Sequence, residues 1–161
     1  MRRMTRSEYF MQIAVLASKR GTCSRLNVGC VIVKDRRIIS TGYNGSPPGL
    51  PHCEERGCIV LPGKHKHCRR SVHAEWNAII SASMNGVSPV DSTVYITAQP
   101  CYECLKILAS CKVRKIIFLK EYRPDRELAH YYRNLQQHCG IQMVKYKRSR
   151  REEEEDTNEN S

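Results

Sequence analysis

Two short segments of this 161-residue chain carry side chains whose types and spacing could do chemistry: His73-Ala74-Glu75 and Pro100-Cys101-Tyr102-Glu103-Cys104. One imidazole and two thiols make a three-ligand set for zinc. Three protein ligands leave the fourth tetrahedral position open to water, which separates a catalytic zinc site from a closed structural one. Glu75 is the carboxylate left over. Two residues beyond His73 on a helix, it points to a different side and can face the open position without ligating the metal. The chemistry available is metal-assisted hydrolysis, in which the metal acidifies a water and the carboxylate moves its protons.

Neither half is specific alone. Cys-x-x-Cys in a reducing compartment also reads as half of a structural zinc site or as a redox pair, and a lone His-x-Glu says almost nothing. Joined in this order, with Pro100 before the first cysteine and each half opening a helix, they read as one catalytic centre. Cys101 and Cys104 are three apart on a first helical turn, so both thiols face one way. Helix N-termini carry partial positive charge, which favours the thiolates zinc needs. Two thiolates and a neutral imidazole then balance the charge of the ion.

The elements that position these residues follow from periodicity. Thr5 with Glu8 forms a capping box, with Tyr9, Phe10, Ile13 and Leu16 at helical spacing behind it, so a helix spans about 5–19. Val28–Val33 and Arg37–Tyr43 read as strands joined at Lys34-Asp35-Arg36. A long irregular stretch rich in Gly, Pro, Cys and His runs from Asn44 to Ser71; loops of that length are functional or held by something. A helix begins near His73 and ends by Asn85-Gly86. Thr93–Ala98 is a strand, Cys101–Ser110 a helix and Val113–Lys120 an apolar strand. Pro124 opens a last helix to about His138, Gly140 caps it, and Ile141–Tyr146 is the final strand. Alternation after the first hairpin predicts an α/β fold. Its five-stranded mixed sheet lies between helical layers, three layers in all (α-β-α), with parallel strands in the second half. No internal repeat is visible.

Composition bounds the function. The length fits one domain, placed at 1–146, and 40% hydrophobic residues is ordinary for a soluble protein. No apolar run reaches the roughly 18 residues of a membrane helix, and the basic N-terminus is not followed by a signal-peptide pattern, so the expected location is cytoplasmic. Nine cysteines, an odd number, point to metal binding rather than disulfides. The net charge is +11; residues 147–161 hold four basic and six acidic side chains, so the body is about +13. That tail cannot bury a core and is expected to be disordered. The basic body suits an anionic partner, a nucleotide phosphate or a nucleic-acid backbone, and equally suits a plain solvated surface.

At these motifs the chain resembles the cytidine/deoxycytidylate deaminase superfamily, over roughly residues 7–146. It is most like the deoxycytidylate (dCMP) deaminases in Ser7-Glu8-Tyr9-Phe10-Met11, Thr22-Cys23-Ser24-Arg25, Gly42-Tyr43-Asn44-Gly45, His52-Cys53 and Val72-His73-Ala74-Glu75-Trp76-Asn77-Ala78-Ile79. The resemblance implies the cytidine-deaminase-like fold and zinc-dependent hydrolysis of dCMP to dUMP and ammonia, supplying dUMP for dTMP synthesis. A homohexamer regulated by dCTP and dTTP is also implied. Carried over by position, Asn44 contacts the sugar-phosphate, Arg25 lies near the phosphate, and Tyr122 closes on the nucleotide. Asn44-Gly45 also reads as a turn, Arg25 as a surface charge, and Tyr122 as a core-edge aromatic. Trp76 replaces the Met or Leu common in relatives; its neighbours suggest a packing role, with an altered pocket wall as the alternative.

The same resemblance implies a second, closed zinc site near the long loop, made of Cys23, Cys53, Cys58 and Cys68, with His67 or His65 replacing one cysteine as the variant. Four free thiols are the plain alternative. Cys30, Cys111 and Cys139 read as core or surface cysteines. Two rival functions stand beside the nucleotide deaminase. One edits a base in tRNA or single-stranded nucleic acid, which the Gly42-Tyr43-Asn44-Gly45 segment disfavours. The other is a non-catalytic zinc module that binds nucleic acid, which would have no use for Glu75.

Overall fold

The computed structural model describes residues 3–62, 67–122, 124 and 126–147. Its elements are α1 (Arg6–Ser18), β1 (Gly29–Lys34), β2 (Arg37–Tyr43), α2 (Cys53–Arg56), α3 (Ala74–Met84), β3 (Thr93–Ala98), α4 (Tyr102–Ser110), β4 (Lys115–Lys120), α5 (Arg126–His138) and β5 (Gln142–Lys145). The five strands form one sheet in the order β2-β1-β3-β4-β5. β1 pairs antiparallel with β2 and β3, whereas β3–β4 and β4–β5 are parallel.

Period-two alternation divides β1 between two cores. Cys30 and Ile32 face a cluster with Val94, Ile96, Ile116 and Phe118, covered by α3, α4 and α5. Val31 and Val33 face the other side, with Tyr95 and Ile117, covered by Phe10, Met11 and Ala14 of α1. The three-layer arrangement read from the sequence is therefore the one found. Thr5 caps α1 as expected: its hydroxyl accepts from the Glu8 N–H at 3.2 Å, and its own N–H donates to the Glu8 carboxylate at 2.5 Å.

Two details seat the site. Gly42 of β2 lies directly under α3, where a Cβ would overlap the Ala74 carbonyl oxygen and the Ala78 nitrogen. The missing side chain lets the helix approach the strand, and Ser40 Oγ donates to Ala78 O at 2.6 Å along the same contact. The β1–β2 turn sets Asp35 (φ 48°) and Arg36 (φ 65°) both in the left-handed region, the backbone of a two-residue hairpin loop, although neither is Gly or Asn.

The structure departs from the expected elements in three places. The stretch 44–71 is not wholly irregular: Cys53–Arg56 forms a helical turn, with the His52 N–H donating to the Glu55 carboxylate at 3.3 Å. A single turn has no apolar period to reveal it. β4 begins at Lys115, two residues later than expected, because Val113 closes the α4 turn through its N–H to Leu108 O at 3.1 Å. Trp76 does not pack in the core and does not line the cleft described below; it is 41% exposed on the outer face of α3. The expected disorder of the tail falls, after Lys147, outside the described residues.

Candidate functional site

The C-terminal ends of the parallel strands β3 and β4 open onto a cleft of about 600 Å3, the size and place at which open α/β sheets hold small ligands. The N-termini of α3 and α4 point into it. His73 is the N-cap of α3 and Cys101 the N-cap of α4, both with extended backbone. Neither side chain caps its helix, a role Ser, Thr, Asp or Asn usually fills. Imidazole and thiol therefore face the cleft. Cys104, two residues into α4 and fully buried, completes the group.

The three ligand atoms converge. His73 Nδ1 lies 3.2 Å from Cys104 Sγ and 3.6 Å from Cys101 Sγ. Tetrahedral zinc with bonds near 2.0–2.3 Å places N and S about 3.6 Å apart, so the donor set fits the ion. The groups also bias one another toward a ligating form. The hydrogen bond to Cys104, aided by His73, pulls the Cys101 thiol down to about 4, while the same bond and burial push Cys104 up. Contact with Cys101 raises His73 despite its burial. One thiolate is thus already favoured, and a divalent cation would bring Cys104 to the same state.

Glu75 is 4% exposed in the cleft wall, and burial pushes its carboxyl up to about 7. It lies within hydrogen-bonding reach of Cys104 and outside the three-atom ligand cluster. A carboxylate held in so apolar a place, beside a cation site, is arranged to exchange protons.

A second cluster stands beside the cleft. The sulfurs of Cys23, Cys53, Cys58 and Cys68 all lie within 4.8 Å of one another. Cys23–Cys58 is 3.7 Å and Cys53–Cys68 is 3.5 Å, against about 3.8 Å for the edge of a zinc–sulfur tetrahedron. Backbone N–H groups of Arg25 and Leu26 point at Cys23 Sγ, and those of Arg70 and Ser71 at Cys68 Sγ. Burial raises Cys68, but these bonds and the neighbouring thiols outweigh it and bring it to about 7. All nine cysteines are free thiols, and these four make a closed donor set that fits zinc. His67 is not part of it. Its ring sits 6.4 Å from those of both His73 and Tyr122, in the cleft wall. His65 lies outside the described residues.

The remaining expected residues line the same cleft. Arg25 is exposed at its wall, Tyr122 is half-buried, and Asn44 is buried. Lys120 and Gln99, which sequence reasoning passed over, line it too, and Glu121 at the rim is paired with Lys145 at 3.0 Å. Gln99 bonds to Tyr132 of α5, also unanticipated. Tyr132 falls inside the helix expected from Pro124 to about His138, and no pattern in the chain shows where its hydroxyl ends.

A sequence model of the cytidine and deoxycytidylate deaminase zinc-binding region matches residues 4–120, most of the chain. The chain belongs to this deaminase family. It is 38% identical over 123 residues to ComE operon protein 2 of Bacillus subtilis, covering 76% of this chain and 64% of that protein. It is 36% identical over 122 residues to the deoxycytidylate deaminase of Mycobacterium phage D29, covering 71% of this chain and 94% of the phage enzyme. The fold also matches the dCMP deaminase of cyanophage S-TIM5, solved in complex with dCMP and dUMP. The TM-score is 0.73 at 28% identity, over 89% of this chain and 100% of that one. The matched span of this chain includes the residues of both the His73 centre and the tetracysteine cluster. Among the described residues no helix is long and apolar enough to cross a membrane.

Proposed function

We propose that this protein hydrolyses dCMP to dUMP and ammonia in the cleft at the ends of β3 and β4. The observation that carries the reading is the position of Glu75: buried, beside three converging ligand atoms, and not one of them. The phage D29 relative, and the cyanophage enzyme with dCMP and dUMP bound, support the choice of nucleotide. Zinc held by His73, Cys101 and Cys104 would supply a Lewis acid that makes water a better nucleophile. Glu75 takes a proton from the attacking water and hands it to the ring nitrogen beside the reacting carbon. It then passes the second proton to the exocyclic amine. The C–N bond breaks, ammonia leaves, and the oxygen of water stays on the ring.

Arg25 and Lys120 give the cleft a cationic wall suited to a 5′-phosphate. In this reading Asn44 meets the sugar-phosphate side and Tyr122 closes over the nucleotide. A second zinc in the tetracysteine cluster pins the loop that carries Arg25, and residues 1–146 form the catalytic domain. We infer further that the enzyme is cytoplasmic, supplies dUMP for dTMP synthesis, and works as a homohexamer under dCTP and dTTP control.

Ammonia release from dCMP, deoxycytidine, cytidine, CMP and a tRNA tests the assignment. Turnover of dCMP above the other four is expected. Activity confined to the tRNA would move the protein to the editing enzymes. Zinc binding with no turnover of any of the five would leave a non-catalytic zinc module.

A further inference from the structure

We propose that Tyr132, on α5 and outside both metal motifs, is a positioning residue for the site. Its hydroxyl fixes the turn that presents Cys101 and, through Gln99, the segment that carries Tyr122. The inference deepens the proposed function and rests on it.

The contacts run from one oxygen in two directions. Tyr132 Oη donates to the Pro100 carbonyl at 3.0 Å and accepts from Gln99 Nε2 at 3.1 Å. Pro100 is fully buried and immediately precedes Cys101, the N-cap of α4. Its carbonyl lies ahead of the helix's own ladder, which begins with Leu105 N–H to Cys101 O at 2.9 Å. The turn therefore takes a bond from outside the helix, and α5 supplies it. Gln99 extends the chain of bonds: its Oε1 accepts from the Tyr122 N–H at 3.3 Å, and its N–H donates to Lys120 O at 2.8 Å. One branch ends at a metal ligand and the other at the rim of the cleft.

Tyr132 is 4% exposed, the buried residue of an otherwise mostly solvated helix. Its ring joins the core that also holds Leu105 and Leu108 of α4. Burial pushes the phenol up to about 12, so it remains a donor across the working range of pH. A ring needed only for packing could be Phe. The hydroxyl, satisfied as donor and acceptor at once, is what ties α5 to the site.

Tyr132→Phe separates the two roles, since it keeps the ring and removes the bonds. Zinc release to a chromogenic chelator should quicken on the order of tenfold in the phase that Cys101→Ala abolishes, the scale at which partners of metal ligands act. KM for dCMP should also rise about fivefold or more. Gln99→Leu should raise KM while release stays as in the parent, because the bond to Pro100 survives. Leu135, partly buried against the same core, gives the packing control: Leu135→Ala should lower the melting temperature and leave release unchanged. The proposal fails if Tyr132→Phe stays within twofold of the parent in both readouts. It fails equally if Leu135→Ala releases zinc as fast. Release needs no substrate, so a parent inactive on dCMP would sink the proposed function and still leave Tyr132 decided by the chelator.

Discussion

Asn44 and Val28 exchange two hydrogen bonds in opposite senses: the Val28 N–H donates to Asn44 Oδ1 at 2.7 Å, and the Asn44 N–H donates to Val28 O at 3.2 Å. Asn44 Nδ2 adds a third bond, to Leu26 O at 2.7 Å. The residue expected to touch the nucleotide thus also latches the loop that holds Arg25 against the cleft. Each amide end keeps capacity for one more partner.

Asn44→Ala should therefore act beyond a lost substrate contact. It leaves the Val28 N–H and Leu26 C=O without these partners, at about 1–3 kcal/mol for each group that stays buried. KM for dCMP should rise at least about tenfold, and thermal unfolding should start lower. A variant with parent KM would show that neither the latch nor the contact matters.

Gly42→Ala tests the seat of α3. The added methyl meets helix backbone, which cannot swing aside as a side chain would. Overpacking of this kind costs about 1–3 kcal/mol, so the melting temperature should fall by several degrees and turnover should drop as His73 and Glu75 shift. An unchanged melting curve would mean the strand and helix can part without cost.

Much of this was legible because local chemistry dictated it. The capping box of Thr5 and Glu8, the alternating strands and the two metal half-motifs are short-range signals, and each half-motif opens a helix as its spacing required. Trp76 was misread because a lone apolar residue in a helical pattern says nothing about which side the sheet covers. His67 was offered as a variant replacing one cysteine of the second cluster, but its ring faces the cleft instead. The links from Tyr132 to Pro100 and from Gln99 to Tyr122 span 32 and 23 residues, and only the fold brings such partners together.

Glu75→Ala should abolish turnover while zinc content stays at that of the parent, because the proposed role of this carboxylate is to move protons and it lies outside the ligand cluster. Glu75→Gln, which keeps shape without basicity, should be equally inactive. Loss of the metal in either variant, or substantial residual activity, would remove the proton-shuttle role.

Metal analysis separates the two clusters. The parent should carry about two zinc per chain, one in an open site and one in a closed site. His73→Ala or Cys101→Ala should lose one zinc together with all activity. Cys53→Ser should lose the other and loosen the walls formed by Cys23 and Cys68, so that KM rises more than kcat falls. A parent holding one zinc, unchanged by Cys53→Ser, would refute the second site.

The cationic wall of the cleft gives a quantitative test. With Arg25 and Lys120 on the wall and Glu121 paired to Lys145, the cleft should favour a charged substrate over its uncharged nucleoside. The expected preference in kcat/KM for dCMP over deoxycytidine is at least about a hundredfold, on the order of 3 kcal/mol. Arg25→Ala should narrow that gap by harming dCMP far more than deoxycytidine. Added salt should weaken dCMP turnover and spare deoxycytidine, since an exposed guanidinium acts partly through a screened field. If Arg25→Ala slowed both substrates equally, the arginine would be holding the loop rather than meeting the phosphate. If the parent turned over both at the same rate, the enzyme would be a nucleoside deaminase.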